Sequence, residues 1–444
     1  MKLISLYIKE YKNIKEQTFD FSKNNGLIAL IGDNGSGKSN ILEAVSLIFA
    51  GVFQEEQERQ PKFAYQIVYS IGNNTIHIAF DGSNYTTIEV NGKQLKVFEL
   101  RKNQFCHPTN VIACYSGEDL RLWHSAFKSY QFNFFSKAII NKYYPARLLY
   151  INKDCWEIAL IALLCAAEED EEVLTFIKSD LKIDNITDVA VSFVVDEEKR
   201  EQYDKHDASY WFNRICSDGL SDINARTIAT TDITTPSAEL NSQSTAKRVF
   251  QYLYILSQPK RNDINKVDKL VEKIVIDIKG ISFEGLSEGE KKLILIECIA
   301  KVLTDDESLI LFDEPDVFLH PKWQRSFLST LKSTSCKAQT IITTHNPILL
   351  GDSQREDIHL VASGAQSDKQ LFSFGRDINS ILEDYFNIEE RNQEGKNLIK
   401  DFYSAMDAKD YDKADILLGK LRQTFGNEDI EYVKADNMFD DLAE

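Results

Sequence analysis

The chain has 444 residues, with 51 Lys and Arg against 69 Asp and Glu, a formal net charge of −18 and 43% hydrophobic residues. One core seldom grows past about 250–300 residues, so this length implies several domains or one domain with a large insertion. The acidic balance argues against a general phosphate-binding surface but leaves room for a local basic groove.

Lys9 and Glu10 interrupt the amino-terminal apolar residues before a signal-peptide core accumulates. The longest greasy stretch, Ile158 to Ala167, is about half of a membrane span. A cytoplasmic location with no membrane attachment is expected. Cys106, Cys114, Cys155, Cys165, Cys216, Cys298 and Cys336 lack the close paired spacing of zinc sites, so neither a metal cluster nor a disulfide framework is expected.

In chain order, the opening reads as paired strands, Lys2 to Lys9 and Gln17 to Ser22, then a buried strand from Gly26 to Ile31. A glycine loop follows, and Asn40 to Ala50 repeats apolar residues at helical spacing. From Gln66 to Leu100 alternating runs predict hairpins, with Thr86 to Val90 turning at Asn91-Gly92 into Lys93 to Phe98. The character changes after Val111 to Gly117. Residues 120 to about 190 read as helical, with the apolar helix Cys155 to Ala167 ending in the acidic run Glu168 to Glu172.

Asp196 to about Lys266 is more polar, with turns over Thr230 to Pro236 and a helix around Ala246 to Leu256. Strands and helices alternate again from Ile274 to Val361, as in an α/β core. The tail from Asp377 reads as three or four helices, with Asp401 to Phe425 as one hairpin. Residues 386–444 carry 15 acidic and 8 basic side chains, a net of −7.

The chemistry is concentrated in four short motifs. Gly32-Asp33-Asn34-Gly35-Ser36-Gly37-Lys38-Ser39 fits the phosphate-loop pattern between a strand and a helix. Its glycines let successive N–H groups turn onto a phosphate chain, and the following helix adds its positive end. Lys38 would neutralise the β- and γ-phosphates, and Ser39 would complete a magnesium shell. Leu309 to Phe312 is an apolar strand ending in Asp313, suited to hold the metal, and Glu314, suited to activate water. Leu286-Ser287-Glu288-Gly289-Glu290 lies with its serine 26 residues before Asp313, and His345 lies 31 residues after Glu314.

This set and its order resemble the ATP-binding-cassette type of ATPase. The resemblance implies that Ser287, Gly289 and Glu290 face the γ-phosphate of ATP held by a second subunit, and that His345 contacts the γ-phosphate in its own subunit. ATP would then join two heads. The separation of 248 positions from Lys38 to Leu286 exceeds that of a transporter cassette's helical lobe and is similar to the branch holding RecF, the chromosome-maintenance heads and the OLD family. Asp313-Glu314-Pro315-Asp316-Val317-Phe318-Leu319-His320-Pro321 resembles the OLD-type run. The Ile8 to Ile14 segment resembles the family's first strand, whose turn, with Lys12 and Asn13, approaches the nucleotide beside Gly32, Asn34, Gly35, Ser36, Gly37 and Asn40.

The expected fold is α/β: an ABC-type P-loop ATPase head with a mixed sheet, a helical insertion and a C-terminal helical region. Its expected parts are residues 1–118 (P-loop lobe), 119–270 (mainly helical insertion), 271–376 (lobe with signature, acidic strand end and switch histidine) and 377–444 (helical interaction region).

OLD nucleases carry a Toprim domain after the ATPase, whereas the 99 residues after His345 read as helices. No intrinsic nuclease is expected. The chain thus resembles the stand-alone ATPases of bacterial anti-phage defence, the PtuA family of Septu and retron systems and the AriA family of PARIS. That resemblance implies ATP and Mg2+ as cofactors, a homo-oligomer of at least a dimer, and a separate HNH or Toprim effector under its control. The alternative is a RecF-like repair or chromosome-maintenance ATPase. A metal-contacting glutamine is expected before the insertion, but Tyr115 to Asp119 offers none.

Residues 120–153 contain no Asp or Glu between Leu120 and Lys153, and interleave Arg121, Lys128, Lys137 and Lys142 with Trp123, Phe127, Tyr130 and Tyr150. Two readings stay open, a DNA contact through counter-charge and stacking, or the aromatic core of a helical insertion. The acidic run Glu168 to Glu172 is likewise either a solvated helix end or a docking patch.

Overall fold

A computed structural model gives the structure, which describes residues 1–54, 60–115, 120–140, 146–184, 189–196, 198–199, 203, 207–215, 226–232, 245–258, 269–278, 281–333, 338–369, 372–386 and 391–443. The chain opens with β1 (Lys2–Tyr11), β2 (Ile14–Asp20), β3 (Leu27–Ile31) and α1 (Lys38–Phe53). β4 (Tyr65–Ile71), β5 (Asn74–Phe80), β6 (Tyr85–Val90), β7 (Lys93–Gln94), α2 (Val97–Lys102) and β8 (Val111–Tyr115) follow. Next come α3 (Lys128–Ile140), β9 (Leu148–Ile151), α4 (Trp156–Ala166), α5 (Glu171–Ser179), β10 (Val189–Asp196), α6 (Asp207–Ile215), β11 (Arg226–Asp232) and α7 (Thr245–Ser257). Then β12 (Val271–Ile278), β13 (Ile281–Ser282), α8 (Glu288–Cys298), β14 (Leu309–Asp313), α9 (Pro321–Ser333), β15 (Gln339–Thr344), α10 (Pro347–Leu350), β16 (Ile358–Ala362) and β17 (Ala365–Gln366).

Three sheets result. The central one has the order β17-β16-β3-β15-β14-β8-β9 and is parallel except at the β16–β17 hairpin. Every residue of β3 and β14 is buried, as expected of strands covered on both faces. The register pairs Asp313 with Thr343 and Tyr115, and Thr344 with Ile31. The carboxyl ends of four strands therefore share one edge, where ligands of open parallel sheets bind. An antiparallel six-stranded sheet, β2-β1-β4-β5-β6-β7, and a four-stranded sheet, β11-β10-β12-β13, complete the α/β head.

Three expected elements change. The second arm of the Asn91-Gly92 hairpin ends at Gln94, and Phe98 lies in α2, because Glu99 accepts the Lys96 N–H at 2.7 Å and caps a helix there. The stretch expected to be helical from residue 120 to 190 contains the strand Leu148-Leu149-Tyr150-Ile151, four buried residues that extend the central sheet beside β8. Thr230 to Asp232, expected in a turn, close strand β11, while residues 233–236 lie outside the described ones.

The chain divides into two compact units, Met1–Arg376 and Asp377–Glu444. The borders expected at 118/119 and 270/271 fall inside the first unit, because β9 pairs with β8 and β10 pairs with β12 across them. The second unit consists of α11 (Ile378–Phe386), α12 (Gln393–Asp407), α13 (Tyr411–Phe425) and α14 (Ile430–Ala443). Phe402, Ala405, Leu417, Leu421 and Ala435 make its core, and Arg391 donates to both Asp429 oxygens at 2.9 Å. Among the described residues no helix is long and apolar enough to cross a membrane.

The acidic run is a helix start. Asp170 caps α5 by accepting from Glu172 N–H (2.9 Å) and Val173 N–H (3.2 Å), and the Glu172 carboxylate pairs with Lys301. Nearby, burial pushes Glu297 up to about 7. The folded state therefore holds its proton more tightly than the unfolded chain, so this group lowers stability increasingly from pH 4.5 to 7 and by a constant amount above that. Glu297→Gln is expected to raise the melting temperature at pH 8, with the gain shrinking to nothing near pH 4.5 in calorimetric scans.

Candidate functional site

The phosphate loop joins the buried end of β3 to α1, and its backbone can be made only with glycine at key points. Gly32 has φ +144, and a Cβ there would lie 2.2 Å from the Val361 carbonyl oxygen on β16. Gly37, φ +111, caps α1 in a left-handed conformation, against the Asn13 side chain. Such a backbone turns N–H groups inward at the helix start, and the Ser36 N–H donates to the Asp33 carbonyl at 3.1 Å. Lys38 is 6% exposed, and its ammonium donates to the carbonyls of Gly32 (2.7 Å) and Asp33 (3.0 Å). Burial lowers its pKa, with Glu314, Asp313 and Asp33 opposing.

Asp313 sits at the end of β14 and is 3% exposed. Its Oδ1 accepts from Ser39 Oγ at 2.8 Å and from Thr343 Oγ1. Burial raises its pKa, while the two hydroxyl donors work against that rise. Glu314 follows with φ +50, its N–H donating to the Thr343 carbonyl at 3.1 Å. His345, just past β15, places Nδ1 3.5 Å from Glu314 Oε1. Lys38, Ser39, Asp313, Glu314 and His345 thus gather at one sheet edge.

These residues fit a magnesium nucleotide. A hydroxyl and a carboxylate, Ser39 and Asp313, already converge beside a buried ammonium, a hard-oxygen donor set of the kind Mg2+ takes. The Ser36 hydroxyl in the loop is buried with no hydrogen-bond partner among the described residues.

Two further turns complete the loop's wall. Asn13, in the β1–β2 turn, donates from Nδ2 to the Gly35 carbonyl (3.2 Å), and Asn40 donates to Asn13 Oδ1 (2.7 Å). Ser363 and Gly364, both at positive φ, form the two-residue turn of the β16–β17 hairpin. The Gly364 N–H donates to the Ser36 carbonyl at 2.6 Å.

The signature segment lies elsewhere. Ser287 is the N-cap of α8, with its hydroxyl and N–H both donating to the Glu290 carboxylate at 2.7 and 2.8 Å. A cavity of about 600 Å3 opens beside it, lined by Ser287, Gly289, Phe318, His320, Lys322 and Trp323, without any phosphate-loop residue.

With that geometry in place, residues 1–350 match the family described as AAA ATPase domain. The chain belongs to that family. The ATPase is 21% identical to the Retron Ec83 probable ATPase of Escherichia coli, over 97% of this chain and 85% of that one. It is 31% identical to the Septu protein PtuA of Bacillus thuringiensis, over 30% of this chain and 39% of that one. The SMC head domain from Thermotoga maritima superposes with a TM-score of 0.35 at 15% identity, over 84% of this chain and 100% of that one. At that score the fold rests on the strand order above.

Three expected site residues are placed differently from their companions. The Lys12 ammonium pairs with Glu43, a buried carboxylate on α1 that Arg121 also approaches at 3.6 Å, so it braces the ATPase's helix. Glu290 is engaged in the α8 cap, where its negative charge also suits the helix start. Asn34 is exposed at the loop's tip. The segment where a metal-contacting glutamine is expected, 116–119, lies outside the described residues.

Of the two readings open for residues 120–153, a DNA contact or an aromatic core, the described aromatics largely follow the second. Phe127, Tyr130, Phe134, Phe135 and Tyr150 are buried, with Phe127 packed on Tyr150 at 5.5 Å and Phe135 on Tyr254 at 5.8 Å. The aromatic core reading holds for these side chains. Lys142 lies outside the described residues, as does the side chain of Lys137.

Thr343 and Gly364 were not foreseen as site residues. Thr343 has a signal in retrospect, a hydroxyl at the end of a buried strand next to Asp313. Gly364 has only the Ser-Gly turn pair, which gives no hint of its neighbour. A Cβ on Gly364 would stand 2.1 Å from the Asn13 carbonyl, at φ +81. Gly364→Ala is therefore expected to lower stability by about 2 kcal/mol or more, and to weaken ATP binding measured by calorimetry, because both contacts bear on the phosphate loop.

Proposed function

We propose that the chain is the ATP-binding and ATP-hydrolysing regulatory subunit of a bacterial anti-phage defence complex. Two heads dimerise through ATP held between them and control a separate nuclease or toxic effector of HNH or Toprim type. The observation that carries this is the division of the site. The phosphate loop, Asp313, Glu314 and His345 share one edge, while the Ser287 cap faces a separate cavity and its hydroxyl bonds to Glu290 on its own helix. A signature so placed has work to do on a nucleotide held by another copy. Likeness to the retron and Septu proteins supports the defence role.

In this reading Lys38 and the loop N–H groups bind the phosphates, and the α1 terminus favours their charge. Ser39 and Asp313 would hold Mg2+, which when bound neutralises charge developing on the β- and γ-phosphate oxygens. The Glu314 carboxylate orients a water and accepts its proton, and its left-handed backbone turns it out of the strand toward the edge. His345, 3.5 Å away, restrains that carboxylate and contacts the γ-phosphate. Ser287 and Gly289 meet the partner's γ-phosphate, with the α8 terminus behind them.

Lys38→Ala is expected to abolish ATP binding in calorimetry, and intact affinity would overturn the phosphate-loop assignment. Glu314→Gln is expected to cut turnover by at least about a hundredfold, while stabilising dimers in ATP by light scattering. Ser287→Arg is expected to keep ATP binding by the monomer and to lose the dimer. Unchanged mass in ATP would count against the shared site. An HNH or Toprim reading frame beside the gene would name the effector class.

A further inference from the structure

Lys292 lies on α8, one helical turn beyond Gly289, and is only 5% exposed. A lysine is almost never so buried unless its ammonium is engaged. Here Nζ donates to the Val317 carbonyl at 3.0 Å. Burial pushes this ammonium down to about 8, against the attraction of Cys114, Asp316, Glu288 and Glu314. Such desolvation is costly, so what Lys292 holds is informative.

It holds a strained loop. Glu314 (φ +50) and Phe318 (φ +71) are both left-handed, and bulky residues in that region cost on the order of 1–3 kcal/mol each. Between them, Asp316 accepts from Thr344 Oγ1 at 3.0 Å. On the α9 side, Gln324 Nε2 donates to the Asp316 and Leu319 carbonyls at 3.2 and 2.9 Å, and Asn346 Nδ2 donates to Gln324 Oε1 at 2.9 Å. The loop is thus tied to β15 and α9 on one side and to α8, through Lys292, on the other. Gly289 closes the same face, where a Cβ would stand 3.0 Å from the Phe318 carbonyl.

We propose that Lys292 is a positioning residue that couples the two ATP sites of the dimer, passing engagement of the Ser287 cap on the partner's nucleotide to Glu314 on its own. This rests on the ATP-bridged dimer of the preceding section. The cap and Lys292 belong to one rigid helix, so a shift of its start moves Val317, and the strained backbone converts that shift into a new setting of Glu314. Packed elements with two arrangements amplify small displacements in this way. Each site then reports on the other, which makes hydrolysis cooperative.

Lys292→Met keeps the apolar stem and removes the donor. It is expected to bind ATP as the unsubstituted chain does and, combined with Glu314→Gln, to form the ATP dimer. Its turnover should fall about tenfold and its Hill coefficient for ATP should drop to about 1, with partial recovery in Lys292→Arg. Unchanged turnover and unchanged Hill coefficient would overturn the proposal.

A second measurement does not depend on how that variant folds. Amide exchange across residues 314–320 of the unsubstituted chain should slow on adding ATP, and should not slow in Ser287→Arg. Equal exchange in both proteins would overturn the coupling. Failure of the unsubstituted chain and of Glu314→Gln to dimerise in ATP is seen before Lys292 is touched, and would remove the shared site and this coupling together.

Discussion

A buried carboxylate needs donors around it if it is to stay charged, and Asp313 receives them from two directions. Ser39 reaches it from the phosphate-loop helix and Thr343 from the neighbouring strand, both at the same oxygen. That convergence depends on parallel register, which sets Asp313 opposite Thr343 and ends β3 one pair further on at Ile31. A slip of one residue would turn each side chain to the other face of the sheet. The loop, the two acids and His345 would then no longer share an edge.

The walls of the phosphate loop come from far apart in the chain. The β1–β2 turn supplies Asn13 and the β16–β17 turn supplies Gly364, and each bonds the loop's backbone. A nucleotide site of this kind is stiff because three turns support one another. The same arrangement explains the placement of Lys12, whose charge braces the buried Glu43 on α1. An unpaired carboxylate there would carry a heavy desolvation cost.

The insertion is structurally continuous with the head. It contributes an edge strand to the central sheet and shares a second sheet with β12, and among its described residues Phe127, Phe135, Phe193, Phe212 and Phe250 are buried as core. In the described part of the acid-free stretch Phe127, Tyr130 and Phe135 are packed inside, and Arg121 turns to Glu43. Much of the acidic character of the chain lies in the run capping α5 and in the helical tail, away from the phosphate loop in sequence.

Much of this was legible in the sequence because it is local. A glycine loop between a buried strand and a helix, an apolar strand ending in two carboxylates, and a serine capping a helix are each set by neighbours within a few residues. Local chemistry also gave Asp313, Glu314, Lys38 and Ser39 their candidate roles. Thr343, Gly364 and Lys292 were not legible, because their meaning lies in partners 25 to 351 positions away or across a sheet. The short strand Leu148 to Ile151 was hidden for the same reason, since four apolar residues read equally as helix until β8 offers them an edge. Periodicity and turn chemistry therefore determined the elements and the motifs, whereas only tertiary register decided which of them meet, because hydrogen-bonded edges and buried charges are satisfied by whatever the fold brings within reach.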